Sequence, residues 1–334
     1  MSTAAIPGAP LPVRTPGSRA RGRHRRPERP EVPVGAPALV LAVPAVATPA
    51  AVALVNELVS VIRGEQPGIE VAAGWLPTAP AAEQDPYQGE PTANADEGAE
   101  PNETNAHPRF WPTATVEGLI AGALEAGRPA PVLVPLLPGP HDYLTDLHSL
   151  AAETGALPTE ALGPHPLLAE AVHVRLSEAG LARADRARLF AITTAADGVV
   201  LTTVGGQAAA DAAGITGVLL AARLAVPVVA AALDVPGSVA AAVEHLRATG
   251  SQRPALAPLV IGPEVEEELL VAAAEETGCP SAAALGAYPT IGQLIASSYL
   301  AALPAPTAEE AAERAAAELA AAERALAEEA DAGE

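Results

Sequence analysis

The chain of 334 residues has room for two domains of ordinary size, each with its own core. Hydrophobic residues are 49% and aromatics only 2%, so any core is built from Ala, Val and Leu, which suits helices on Val/Leu strands better than a β-sandwich. A formal charge of −21 argues against a nucleic-acid partner, and a single cysteine, Cys279, rules out an internal disulfide or a Cys-based zinc site.

Residues 1–35 form an arm rich in arginine (Arg14, Arg19, Arg21, Arg23, Arg25, Arg26 and Arg29) in which disorder is expected. With the apolar run 36–55 behind it, the arm resembles a signal peptide, and an exported two-lobed binding protein is one reading. Pro37, Pro44 and Pro49 interrupt any helix there, so the expectation is a cytoplasmic protein with no membrane partner. A first lobe over 36–190 is predicted to place strands at 38–43, 69–73, 131–136 and 157–161, with helices at 49–63, 114–126, 142–153 and 166–179. Within it, about 78–109 is acidic, Pro-rich and poor in large apolar residues, which predicts a disordered insertion carrying His107. A second lobe over 191–304 is predicted to repeat the pattern, with strands at 197–202, 226–231, 255–261 and 281–284. Its helices fall at 207–223, 238–248, 264–276 and 289–301. Thr115 and Ser238 are placed to cap helices, and Gly127 and Gly250 to end them. Residues 305–334 read as an Ala/Glu-rich helix or tail, with Glu310, Arg314 and Glu318 at helical spacing.

Internal repetition ties the lobes together. Pro135 matches Pro258, Gly155 matches Gly278 and Leu162-Gly163 matches Leu285-Gly286, all at a separation of 123 residues. Upstream, Val40 matches Val200 and Arg63 matches Arg223 at 160. Alternating strands and helices with continuous apolar strands predict an α/β chain of two tandem flavodoxin-like, doubly wound parallel-sheet lobes.

Ligands of open parallel sheets bind beyond the carboxyl ends of the strands. His141 follows a Pro-Gly-Pro turn there, with Asp142 and Asp146 nearby and His148 on the same helical face. It is read as a metal ligand or general base, against the alternative of a capping or exposed histidine. Glu264 stands where His141 stands in the first lobe. It is either a carboxylate metal ligand or part of the cluster with Glu266, Glu267 and Glu268 that opens a helix favourably for its dipole. His165 has Tyr288 as its counterpart, which suits a planar packing residue. His173 and His245 fall mid-helix with no partners in spacing, His24 lies in the Arg-rich arm, and Gly205-Gly206 is a weak phosphate-loop signal with no lysine to complete it.

Residues 38–43 leading into Thr48-Pro49, the run from Val134 through Pro138-Gly139-Pro140 to His141, and Leu162-Gly163-Pro164-His165-Pro166-Leu167 together resemble the sirohydrochlorin cobalt- and ferrochelatase family in its long, two-domain form. The resemblance implies the class II chelatase fold and insertion of Co²⁺ or Fe²⁺, as a metal substrate, into a tetrapyrrole, with no organic cofactor. It implies His141 as catalytic residue and metal ligand, with Glu264 and Asp142 assisting at the metal. For a polycarboxylate substrate, Arg109, Arg128 and Arg253, with His165, are the candidate binding residues. One departure stands out: Pro44 occupies the place of the histidine in the family's Gly-His-Gly-Ser turn. A relative that binds tetrapyrrole or metal without turnover is therefore the alternative. The oligomeric state is not written in the sequence.

Overall fold

Why the short Val/Leu runs are apolar at every position is answered by what covers them. The computed structural model describes residues 32–33, 35–76, 114–182 and 195–304. The arm 1–31, the insertion with His107 and Arg109, and the tail from 305 lie outside the described residues. In the first lobe, β1 (Leu39–Val43), β2 (Val71–Trp75), β3 (Val132–Pro135) and β4 (Leu157–Pro158) form a parallel sheet in the order β2-β1-β3-β4. In the second, β5 (Gly198–Thr203), β6 (Val228–Ala232) and β7 (Pro254–Pro258) form a parallel sheet in the order β6-β5-β7. Both follow the flavodoxin-like order, and each sheet is covered on both faces, so its strands need apolar residues on both. Leu39–Val43 is the central strand of its sheet and fully buried, so cleavage after it would remove the heart of the first lobe.

The connecting helices are α1 (Pro49–Glu65), α2 (Val116–Glu125), α3 (Tyr143–Thr154), α4 (Pro166–Glu178), α5 (Gly206–Leu224), α6 (Ser238–Ala248), α7 (Glu267–Thr277) and α8 (Pro289–Ala302). On the outer face of the first sheet, Val40, Ala42 and Leu133 pack against Val116 and Ile120 of α2 and Leu147 of α3. Val200 and Leu256 do the same in the second lobe against Val243 and Leu246 of α6 and Ala273 of α7. Between the sheets lies one shared core: Leu39, Leu41 and Val134 from the first and Val199, Leu201 and Leu259 from the second, joined through α1, α4, α5 and α8. The last helix of each lobe crosses over. α4 packs on α5 and β7 of the second lobe, while α8 packs on α1 and β3 of the first. Tyr299 of α8 donates its hydroxyl to the Pro37 carbonyl at 2.7 Å, and Arg175 of α4 donates through Nε and Nη2 to the Leu285 carbonyl at 3.0 and 2.7 Å.

The ladders repeat between lobes: Ala42 pairs with Pro135 and Thr202 with Pro258, keeping the separations 160 and 123. The helices after β1 and β5 do not keep 160. At that separation buried Val55, Leu58, Val59 and Ile62 of α1 fall opposite exposed Ile215, Val218, Leu219 and Ala222. At 158 they fall opposite buried Ala213, Thr216, Gly217 and Leu220, because the second lobe connects strand to helix by a shorter turn. Arg63 and Arg223 therefore do not share a place: Arg63 donates to the Val71 carbonyl and Arg223 to His173 Nδ1.

Other local expectations change as well. Thr115 caps α2 by accepting from Gly118 N at 3.0 Å, but Ser238 is already helical, and its hydroxyl accepts from Ala232 N at 3.1 Å while Gly237 takes the cap position. The strand at 281–284 shrinks to one bridge between Leu256 and Ser281, and that at 157–161 to Leu157–Pro158.

Candidate functional site

The carboxyl ends of β1 and β7 face each other across the lobe junction. The connection after β1 enters α1 through Thr48, whose hydroxyl accepts from Ala51 N at 3.2 Å, with Pro49 preset for the first turn. Opposite it, β7 runs on through buried Leu259, Val260 and Ile261 into Gly262 at φ +143, a conformation L side chains rarely adopt, beside Leu54 of α1. Between them opens a crevice of about 1060 Å³, walled by Pro44, Val46, Leu54, Glu264, Leu270 and Val271 among others. Val46 is 73% exposed at its mouth.

Glu264 is half-buried in this wall and belongs to the turn, not to the helix, which starts at Glu267. Its carboxylate curls back on its own loop, accepting from Ile261 N and, at 2.8 Å, from Gly262 N. Burial pushes its pKa up to about 7 against the lowering pull of those backbone donors. A carboxyl poised there exchanges protons around neutrality. Glu267 and Glu268 do occupy the first turn of α7, and Glu266, Glu267, Glu268 and Glu275 also line the crevice.

His141 is not among the residues that line it. Half-buried just before α3, it accepts from Tyr143 N through Nδ1 at 3.1 Å. His165 does the same for α4, accepting from Leu167 N through Nδ1 at 3.1 Å. In a neutral imidazole whose Nδ1 accepts, the proton sits on Nε2, which then has no lone pair for a metal. A metal-ligating histidine presents the reverse arrangement, its second ring nitrogen donating to a carboxylate or carbonyl. His165 is thus the cap of α4, and His141, one residue ahead of the cap position, holds the first amide of α3. Tyr288, the counterpart of His165, caps nothing with its side chain and lines a smaller cavity of about 540 Å³ with Glu57 and Arg175.

Asp142 occupies the cap position of α3 without a side-chain hydrogen bond and is exposed. Arg128 and Arg253 precede β3 and β7, at the amino edges of the sheets and so on the far side from the crevice. Arg128 pairs with Glu70 at 2.6 Å, and Arg253 N donates to Asp197 Oδ1 at 2.7 Å. Of the predicted site residues, then, Glu264 alone lines the crevice among those described. Among the described residues no group of three or more His, Cys, Asp or Glu is placed to hold a metal ion. No described helix is long and apolar enough to cross a membrane.

Sequence reasoning passed over Asp234. Its carboxylate accepts from Gly205 N at 2.8 Å and Gly206 N at 2.9 Å, so the donors that suggested a phosphate loop are already filled from within. The signal was an acid just beyond the edge strand 228–232, at the end where this loop emerges.

No family model and no curated protein sequence matches the chain. Among solved structures it is similar to SirB from Bacillus subtilis with Fe³⁺, with a TM-score of 0.52 at 13% identity, covering 79% of this chain and 94% of that one. It is also similar to the sirohydrochlorin chelatase SirB from Bacillus subtilis subspecies spizizenii in complex with cobalt, with a TM-score of 0.50 at 11% identity and the same 79% and 94% coverage.

Proposed function

We propose, from a chain that has the class II chelatase fold, that the interlobe crevice holds a tetrapyrrole-sized macrocycle against a divalent metal ion and that Glu264 accepts protons as the metal enters the ring. One observation carries the reading: a carboxyl with a pKa of about 7 in the wall of a crevice of about 1060 Å³. Metal insertion exchanges M²⁺ for the two pyrrole N–H protons, so it needs a base matched to neutral pH, and positioned bases contribute about 10²–10⁴-fold. A carboxylate also supplies an oxygen donor acceptable to Co²⁺ or Fe²⁺, the metals the resemblance names as substrates. The crevice is at the upper end of small-molecule sites, which run to roughly 1,000 Å³, and so has room for a macrocycle. Sirohydrochlorin is the macrocycle the resemblance names, in siroheme or cobalamin biosynthesis.

A second reading, binding without turnover, is favoured by Pro44 in the β1 turn and by the absence of a three-donor group among the described residues. Anaerobic mixing of the protein with Co²⁺ or Fe²⁺ and either sirohydrochlorin or a dicarboxylate porphyrin, followed by absorbance, separates the two. Insertion faster than with metal alone supports a chelatase. Saturable binding at the metal-only rate supports the second reading, and neither binding nor turnover contradicts both.

A further inference from the structure

The crevice combines apolar walls with one sign of charge. Val46, Leu54, Leu270 and Val271 offer a flat apolar ring a surface, and Glu264, Glu266, Glu267, Glu268 and Glu275 stand around it. No Arg, Lys or His is among the described lining residues. An independent feature points the same way. At the carboxyl edge of the second sheet, the backbone donors that would receive an anion are occupied: Gly205 and Gly206 by Asp234, Ile261 and Gly262 by Glu264. Two helices, α1 and α7, do aim their amino ends here, but each contributes only about half a positive charge. The four exposed carboxylates of Glu266, Glu267, Glu268 and Glu275 outweigh that even with Glu264 protonated. Groups within a crevice of this size lie inside or near the Debye length of about 8 Å at physiological salt, so the field reaches a bound ligand.

We propose that the crevice selects its macrocycle by charge, admitting a ring with a neutral or cationic periphery and disfavouring a polycarboxylate. The inference rests on the crevice being the macrocycle site and narrows the substrate class of that site. The reference tetrapyrrole of the fold family, rich in carboxylates, is then a poor fit to this chain, and the preferred ring has few free acids. Selection acts through the sum of the wall charges, so it is graded by ring charge and screened by salt.

The test titrates the full chain with three porphyrins: tetracationic tetra(N-methylpyridyl)porphyrin, dicarboxylate mesoporphyrin and octacarboxylate uroporphyrin, followed by absorbance at low and high salt. The expected order is tetracationic over dicarboxylate over octacarboxylate. The extremes differ by at least about tenfold at low salt, and added salt weakens the first and strengthens the last. Because the whole chain carries −21, the preference is assigned to the crevice by the triple variant Glu267→Gln, Glu268→Gln, Glu275→Gln, which narrows the ratio while circular dichroism stays unchanged. Uroporphyrin binding as tightly as the cationic ring, or a preference the triple variant leaves intact, overturns the charge inference and leaves the crevice reading standing. Failure of all three rings to bind overturns both.

Discussion

At the scale of single residues, His141 and His165 each accept from a backbone amide at a helix start, and Glu264 accepts from two amides of its own loop. His141 has the sequence setting of a ligand, yet its Nδ1 receives Tyr143 N and ties down the first turn of α3. Removing such a cap costs about 0.5–2 kcal/mol. His141→Ala is expected to lose about that much in urea unfolding, while His141→Asn, which keeps an acceptor at the cap, stays close to wild type. Equal losses in both variants would show that the acceptor is not what matters. Glu264 carries a pH signature whose sign follows from its folded pKa of about 7, above the ordinary carboxyl value. A raised carboxyl pKa means the folded state holds the proton more tightly, so this contribution is full below about pH 4.5 and is lost as pH rises through about 7. Melting temperatures of wild type and Glu264→Gln, compared between pH 5 and pH 8, are expected to move in favour of the variant as pH rises. A pH-independent difference would mean that the carboxyl titrates normally.

At the scale of elements, backbone approach at the junction decides which substitutions are tolerated. Gly205 sits at φ +108, and a Cβ there would collide with the Pro140 carbonyl oxygen of the first lobe. The conformation alone costs an L residue about 1–2 kcal/mol. Gly205→Ala should therefore lose at least that much in urea unfolding, and a loss near zero would mean that the two loops do not touch. The elements also mark where sequence was readable. Strand positions were legible as short continuous apolar runs and helix positions from their 3.6-residue spacing, and Pro135 and Pro258 anchor the same ladder position in each lobe. Two things were not legible. A shortened turn after β5 shifts α5 against α1, and an alanine-rich helix gives little contrast between its faces to reveal it. Capping by Nδ1 leaves no mark in composition, so capping stood for His141 only as the alternative to a ligand or base, and His165 read as a planar packing residue. Glu264 was reachable only because its repeat partner drew attention to the position.

At the scale of the whole molecule, exchange of the last helices makes the lobes mutually dependent. Ile291, Leu294, Ile295 and Tyr299 of α8 are buried in the shared core. At about 1.5–3 kcal/mol for each buried side chain, their loss rivals the 5–15 kcal/mol that holds a typical domain together. The intact chain is thus expected to melt in one transition, and a chain ending before Pro289 to lose the first lobe along with the helix. Two separated transitions in calorimetry would mean that the lobes are stable alone. The same exchange reaches both sides of the crevice, since α8 packs on α1 and Arg175 holds the Leu285 carbonyl next to the lining residues 281–284. The crevice is in that sense a product of both lobes. Its claim to be the functional centre is tested most directly by anaerobic metal insertion into a dicarboxylate porphyrin, measured side by side for wild type, Glu264→Gln and His141→Asn. The account predicts that Glu264→Gln slows insertion by at least about 100-fold while His141→Asn stays within about threefold of wild type. Full activity in Glu264→Gln with loss in His141→Asn would contradict it.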